Sequence, residues 1–189
     1  DIPAFYAKWF FNRLAKGYCA WYNPFNQQKM YISFQQCKAI VFWTKNPKPI
    51  LPYLHELDER GIHYYFQFTL NDYEKEGFEP NVMSLKKRID AFINLSNLIG
   101  HDRVIWRFDP LIVSDEITPR ELLTKIWNIG NKLKNYTDKL VFSFVDVIDA
   151  FGGVTINVEQ AEVQWINGYI AEYNQVSGVA DRDGFVDEQ

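Results

Sequence analysis

The chain has 189 residues, 47% apolar, 17% aromatic and 23% charged, with a net charge of −4. That composition excludes a disordered chain and a disulfide mini-scaffold, because a domain of this length buries enough surface to hold a core. Apolar runs such as Ala39–Trp43 stay far short of the ~20 residues of a membrane span, so a soluble, cytoplasmic protein without a membrane partner is expected.

Asp1 as a cap, Pro3 in the first turn and Gly17 at the far end predict an opening helix, with Phe5, Tyr6, Trp9, Phe10 and Leu14 on its buried face. Ala39–Trp43 reads as a buried strand ending in Thr44-Lys45-Asn46-Pro47, and Pro49 leads a helix with Ile50, Leu51, Leu54 and Leu57 inward. Tyr64–Leu70 is the next strand. Ser84 is expected to cap a helix through Leu85, Ile89, Phe92 and Leu95 to Gly100, and Val104–Phe108 forms another strand. Thr118-Pro119-Arg120-Glu121 is a capping box with proline at the first helical position, and a last clear strand covers Leu140–Val145.

Strands alternating with helices specify an α/β fold of parallel strands joined by right-handed crossovers. Gln67, Thr69 and Asn71 share one strand face, as do Ile105, Arg107 and Asp109, while Phe66, Phe68, Trp106 and Phe108 take the opposite faces. A polar inner face under an apolar, helix-covered outer face predicts a partial (β/α) barrel over residues 1–149. Residues 150–189 are expected to be a separate acidic segment. It holds a Val154–Val158 run, an amphipathic helix from about Glu159 to Tyr173 and a mobile end from Ser177. Charge divides the same way: residues 1–145 carry 19 Lys and Arg against 15 Asp and Glu, and residues 146–189 carry 1 against 9.

In parallel α/β folds ligands sit at the carboxyl ends of the strands. The polar residues there are Lys45 and Asn46 beside Thr44, then Gln67 and Thr69, then Arg107 with Asp109, then Ser143 and Asp146. Arg107 and Asp109 lie two apart on one strand and point the same way. The carboxylate can therefore orient the guanidinium toward an anion, or the two can form an internal ion pair. The first functional reading is an anion site at which Arg107 clamps, Asp109 orients, Lys45 adds a second positive charge, and Gln67 and Thr69 donate hydrogen bonds. The anion is a phosphate- or carboxylate-bearing small molecule. A second reading is a nucleic-acid-binding module in which Trp21, Tyr22 or Tyr73 stacks on bases. A third is an interaction protein that engages a partner through its acidic helix. His55, His63 and His101 fall away from the strand ends, which disfavours a serine hydrolase or histidine–metal site, and no phosphate loop is present.

Phe42-Trp43-Thr44-Lys45-Asn46-Pro47, Tyr65-Phe66-Gln67-Phe68-Thr69, Phe78-Glu79-Pro80-Asn81, Arg88, Val104-Ile105-Trp106-Arg107-Phe108-Asp109-Pro110 and Ser143-Phe144-Val145-Asp146 together resemble the bacterial domain-of-unknown-function family 1848, over about residues 1–148. The same blocks are more distantly similar to the spore photoproduct lyase-like radical S-adenosylmethionine enzymes. That resemblance implies a partial barrel, a [4Fe–4S] cluster, S-adenosylmethionine and chemistry on nucleic acid. Family members lead into Asp-Ile-Pro through a strand and Ser-Arg-Arg-Thr, and end in a cysteine-rich segment. Here Asp1-Ile2-Pro3 opens the sequence, so by this resemblance the first strand of the barrel is expected to be missing, and residues 150–189 contain no cysteine. No cofactor is therefore expected for this chain alone, and radical chemistry by it alone is not expected.

Overall fold

A computed structural model describes residues 1–114 and 117–144. Asp146, the acidic segment 150–189 and its expected helix lie outside the described residues. The class is mixed α/β, with a parallel sheet of strand order β3-β4-β5-β6 over Ala39–Thr44, His63–Thr69, Val104–Leu111 and Leu140–Phe144. The chain forms two compact units, Asp1–Phe68 and a second that begins at Thr69.

In the first unit the Asp1 carboxylate accepts from the Ala4 N–H at 3.0 Å and opens a π-helical turn, Ile2–Tyr6. This turn runs into α1, Ala7–Lys16, which ends at Gly17 with φ 79°, the left-handed conformation that glycine adopts without penalty. Phe10, Phe11 and Leu14 are buried, whereas Phe5, Tyr6 and Trp9 are 77%, 58% and 45% exposed. The expected single face is thus corrected. A π turn carries more residues than an α turn, so spacing counted from Phe5 at 3.6 residues per turn loses register before it reaches α1.

Strands β1, Tyr18–Tyr22, and β2, Lys29–Ser33, form an antiparallel hairpin paired from Tyr18↔Ser33 to Tyr22↔Lys29. The sequence reading placed no strands there. Strands β3 and β4 then pair in parallel from Ala39↔His63 to Thr44↔Phe68. Phe42 meets Phe10 edge-on at 5.7 Å and Phe66 at 5.0 Å, and such ring pairs add about 0.5–1.5 kcal/mol each to their area burial. Between the two strands the expected helix from Pro49 is instead a 3₁₀ turn, Leu51–Tyr53, followed by α2, His55–Glu59. Pro52, at the fourth position of a helix led by Pro49, lacks the N–H that would donate its first backbone bond. Ile50, Leu54 and Leu57 are nevertheless buried as expected.

The second unit holds α3, Leu85–Ile99, then β5, then α4, Pro119–Leu133, then β6. Strands β5 and β6 pair in parallel from Trp106↔Leu140 to Phe108↔Phe142, and the register then shifts to Leu111↔Phe144. Trp106 and Phe108 are buried with Phe92, Leu95, Leu122 and Leu133, while Arg107 and Asp109 are only partly covered. The two strand faces therefore differ as their alternation requires. The Trp106 indole N–H donates to the Leu70 carbonyl at 2.9 Å, so its one polar atom is satisfied in the core.

At α4 the capping box forms in full: Thr118 Oγ1 accepts from the Glu121 N–H at 3.3 Å, and Glu121 Oε2 accepts from the Thr118 N–H at 2.9 Å. The Thr118 N–H, then its hydroxyl, hold the Glu121 carboxyl below its ordinary pKa. A group lowered on folding contributes stability that is present above its unfolded pKa and is lost as pH falls through the folded value. Glu121→Gln is expected to flatten the acid side of the melting profile. Thr118→Ala is expected to cost about 1 kcal/mol in urea unfolding, and an unchanged midpoint would remove the cap from the account of α4.

Candidate functional site

After β3 the chain turns on Thr44, which is buried. Its hydroxyl donates to Asp1 Oδ2 at 2.9 Å and accepts from the Asn46 N–H at 3.0 Å, and Asn46 Oδ1 accepts from the Lys48 N–H at 3.3 Å. Asn46 thus builds the turn with its own side-chain oxygen. Lys45 stands half-buried on that turn, and Gln67 is half-buried on β4. These residues belong to the first unit.

In the second unit the structure brings Arg107, Asp109 and Ser143 together. Arg107 Nε donates to Asp109 Oδ2 at 3.1 Å, and Arg107 Nη2 donates to the same oxygen. Ser143 Oγ, on β6, donates to the other oxygen, Asp109 Oδ1. The register shift between Phe108 and Leu111 lies at this point, where Asp109 and a cis Asp109–Pro110 peptide carry β5 toward its end. Arg107 and Asp109 keep 14% and 23% of their side chains exposed, so both remain in reach of a solute. The arrangement fixes the guanidinium plane, and it sets a hydroxyl and a charged group side by side. Thr69, half-buried at the end of β4, is the other predicted site residue among the described residues of this unit.

Beneath the pair lies a set of buried polar groups. The Asn71 side-chain amide binds the backbone of Asp109 twice: Oδ1 accepts from its N–H at 2.9 Å and Nδ2 donates to its carbonyl at 2.9 Å. Arg88, on α3, is fully buried; Nη1 donates to Glu79 Oε2 at 3.0 Å and to the Asn71 carbonyl at 3.0 Å, and Nη2 donates to Glu74 Oε1 at 3.3 Å. Glu74 Oε1 also accepts from the Leu85 N–H. A carboxylate thereby satisfies the first turn of α3, where the Ser84 side chain makes no capping bond. Lys125 on α4 pairs with Glu76 Oε1 at 2.9 Å and donates to the Asp72 carbonyl at 2.7 Å.

Tyr73 closes the set. Its hydroxyl donates to the Pro110 carbonyl at 2.8 Å and accepts from the Ile112 N–H at 3.1 Å. Burial pushes its phenol well above the ordinary pKa; the Ile112 N–H works against this shift, and the carboxylates of Glu79, Glu76 and Asp109 add to it. It therefore stays a donor at any working pH. With 1% of its surface exposed, Tyr73 cannot stack on a base, which corrects that expectation; Trp21 and Tyr22 are 43% and 55% exposed. Asn71 continues the polar parity of Gln67 and Thr69, and its signal is its place two residues past Thr69. For the Arg88 partners the available signal was the acidic run Glu74, Glu76, Glu79 ahead of an arginine at the start of a helix.

Among the described residues no three His, Cys, Asp or Glu side chains gather as a metal site, and no helix is long and apolar enough to cross a membrane. A family model described as a domain of unknown function, DUF1848, matches residues 1–177. No curated protein and no solved structure matches the chain.

Proposed function

Because the chain belongs to the DUF1848 family of domains of unknown function, we propose that its α/β body is a ligand-binding domain. It takes a phosphate- or carboxylate-bearing anion at the carboxyl end of β5, with Arg107 as the clamp. One observation supports this reading: the Arg107 guanidinium is held in one plane by two N–H bonds to a single Asp109 oxygen, while Ser143 takes the other oxygen. An arginine fixed this way loses little further freedom on binding, and its fork matches planar oxyanions. Asp109 orients the clamp, and Ser143 and Thr69 are the neutral donors at the same end of the sheet. The turn carrying Lys45 and Asn46, with Gln67 on the next strand, offers similar chemistry in the first unit. A partial (β/α) barrel is the architecture that belongs with this reading.

The iron–sulfur cluster implied by the more distant resemblance does not fit the cysteines of these 189 residues. The two cysteines, Cys19 and Cys37, supply two thiolates where such a cluster takes about four ligands, and no step is derived through it.

Titration calorimetry with inorganic phosphate, pyrophosphate and malonate tests the clamp. Arg107→Ala is expected to weaken the best of these anions about 10- to 100-fold, as loss of a charged hydrogen-bonding group predicts, with the unliganded melting temperature little changed. Arg107→Lys keeps the charge without the fork and is expected to recover only part of the affinity. No binding of any of the three, or a loss of folding that matches the loss of binding, overturns the reading and leaves Arg107–Asp109 a structural pair.

A further inference from the structure

The hairpin has one face with a composition that the strand-end reading does not use. Pairing of Ala20 with Tyr31 and of Tyr22 with Lys29 puts Tyr18, Ala20, Tyr22, Lys29 and Tyr31 on the same side. On α1, Trp9 and Arg13 are four residues apart and share a face. Trp9, Arg13, Tyr18, Ala20, Lys29 and Tyr31 together line a half-open cavity of about 350 Å³, within the range of small-ligand sites.

Three rings and two cations make up most of that lining, and it includes no carboxylate. Tyr18 and Tyr31 meet edge-on at 5.9 Å; Tyr18 and Trp9 are about half exposed and Tyr31 is 65% exposed. Lys29 Nζ lies 5.0 Å from the Tyr31 ring centre and 5.9 Å from that of Tyr22. The surrounding chain has the same bias. Between Asp1 and Glu56 there is no Asp or Glu at all, while Lys8, Arg13, Lys16, Lys29, Lys38, Lys45 and Lys48 fall in that stretch. An apolar occupant would leave both cations unmatched, and a metal cation would be repelled. A planar aromatic group bearing a phosphate satisfies rings and cations together.

We propose that this cavity between α1 and the hairpin is a second binding site, separate from the Arg107 clamp. It takes one nucleotide unit, with the base stacked on Tyr18, Tyr31 or Trp9 and the phosphate on Arg13 and Lys29. The unit comes either from a single-stranded nucleic acid or from a free nucleotide.

Fluorescence anisotropy of a labelled twelve-residue oligothymidylate and of an oligoadenylate of the same length, on the full chain over a range of salt, tests it. Binding is expected with a log–log salt slope of about −0.7, the value for one phosphate neutralised on a single strand. Tyr31→Ala and Lys29→Glu, at surface positions that the fold does not need, are each expected to weaken binding about tenfold or more, with circular dichroism unchanged. Competition by adenosine monophosphate makes the free nucleotide sufficient, and oligonucleotide binding without such competition makes the single strand the source; both support the site. Absence of binding by either class at millimolar concentration overturns it. So does binding that the hairpin variants leave unchanged, or displacement by polyglutamate as effective as by unlabelled oligonucleotide. If Arg107→Ala abolishes binding while the hairpin variants are silent, the nucleic acid is the anion of the clamp, and the second site is overturned.

Discussion

Arg88→Met is expected to destabilise the protein by about 3–5 kcal/mol, the range for breaking one side of a buried ion pair, and so to leave little folded protein at 37 °C. The reason is what the arginine leaves behind. Glu79, whose side chain is 6% exposed, would keep a charge in a low-dielectric site with its cation gone, and the Asn71 carbonyl would lose its Arg88 donor. Glu74 is 40% exposed and can be rehydrated, so it adds less. Adding Glu79→Leu to Arg88→Met removes the stranded charge, and the double variant is expected to regain most of the loss. Urea unfolding of the two single variants and the double one measures this. A single-variant cost within about 1 kcal/mol, the range of exposed pairs, would sink the argument.

Asn71→Ala is the second large effect, and it reaches the clamp as well as the fold. The amide satisfies both the N–H and the carbonyl of Asp109, and each buried group left without its partner costs roughly 1–3 kcal/mol. Water entering the space could recover part of this; Asn71→Asp tests the geometry more sharply. An aspartate keeps the acceptor for the Asp109 N–H, loses the donor to its carbonyl, and sets a charge against Glu79 Oε1, which stands 3.4 Å from Asn71 Nδ2. Asn71→Asp is therefore expected to be at least as damaging as Asn71→Ala at neutral pH, and to improve relative to it as pH falls and the two carboxyls protonate. Equal stability of the two variants at every pH would show that the amide contributes shape alone.

Legibility in the sequence follows the range of each interaction. Gly17 at the end of α1, the capping box of α4 and the alternation in β4 and β5 are local signals, and each element stands within a few residues of where the pattern puts it. Arg107 and Asp109 were readable for the same reason, since residues two apart on a strand share a face. The hairpin was not. Both its strands are exposed on most residues of either face, so no alternation marks them, and the loop between Tyr22 and Lys29 has no glycine to announce a tight turn. The partners of Arg88 lie 9 and 14 residues before it across an irregular loop, and Asn71 spends its amide on a backbone 38 residues away. No periodicity encodes such bonds; they exist only once the loop from Asn71 to Ser84 has been folded over α3. In α1 the pattern itself misled, because the π turn ahead of it changes the period.

The hairpin has a further consequence for how the molecule spends its time. Two strands without a third are marginal on their own in water, and here most of their side chains face solvent. Opening of β1–β2 therefore belongs at the low end of the free-energy scale of local unfolding, well below the level at which the cores around Phe42 or Trp106 come apart. A solute that binds only the closed hairpin adds RT ln(1 + [L]/Kd) to this small opening energy, which is a large fractional change there and a negligible one for the sheet. Such a solute would convert its own concentration into order over residues 18–33, while the rest of the fold stays as it was.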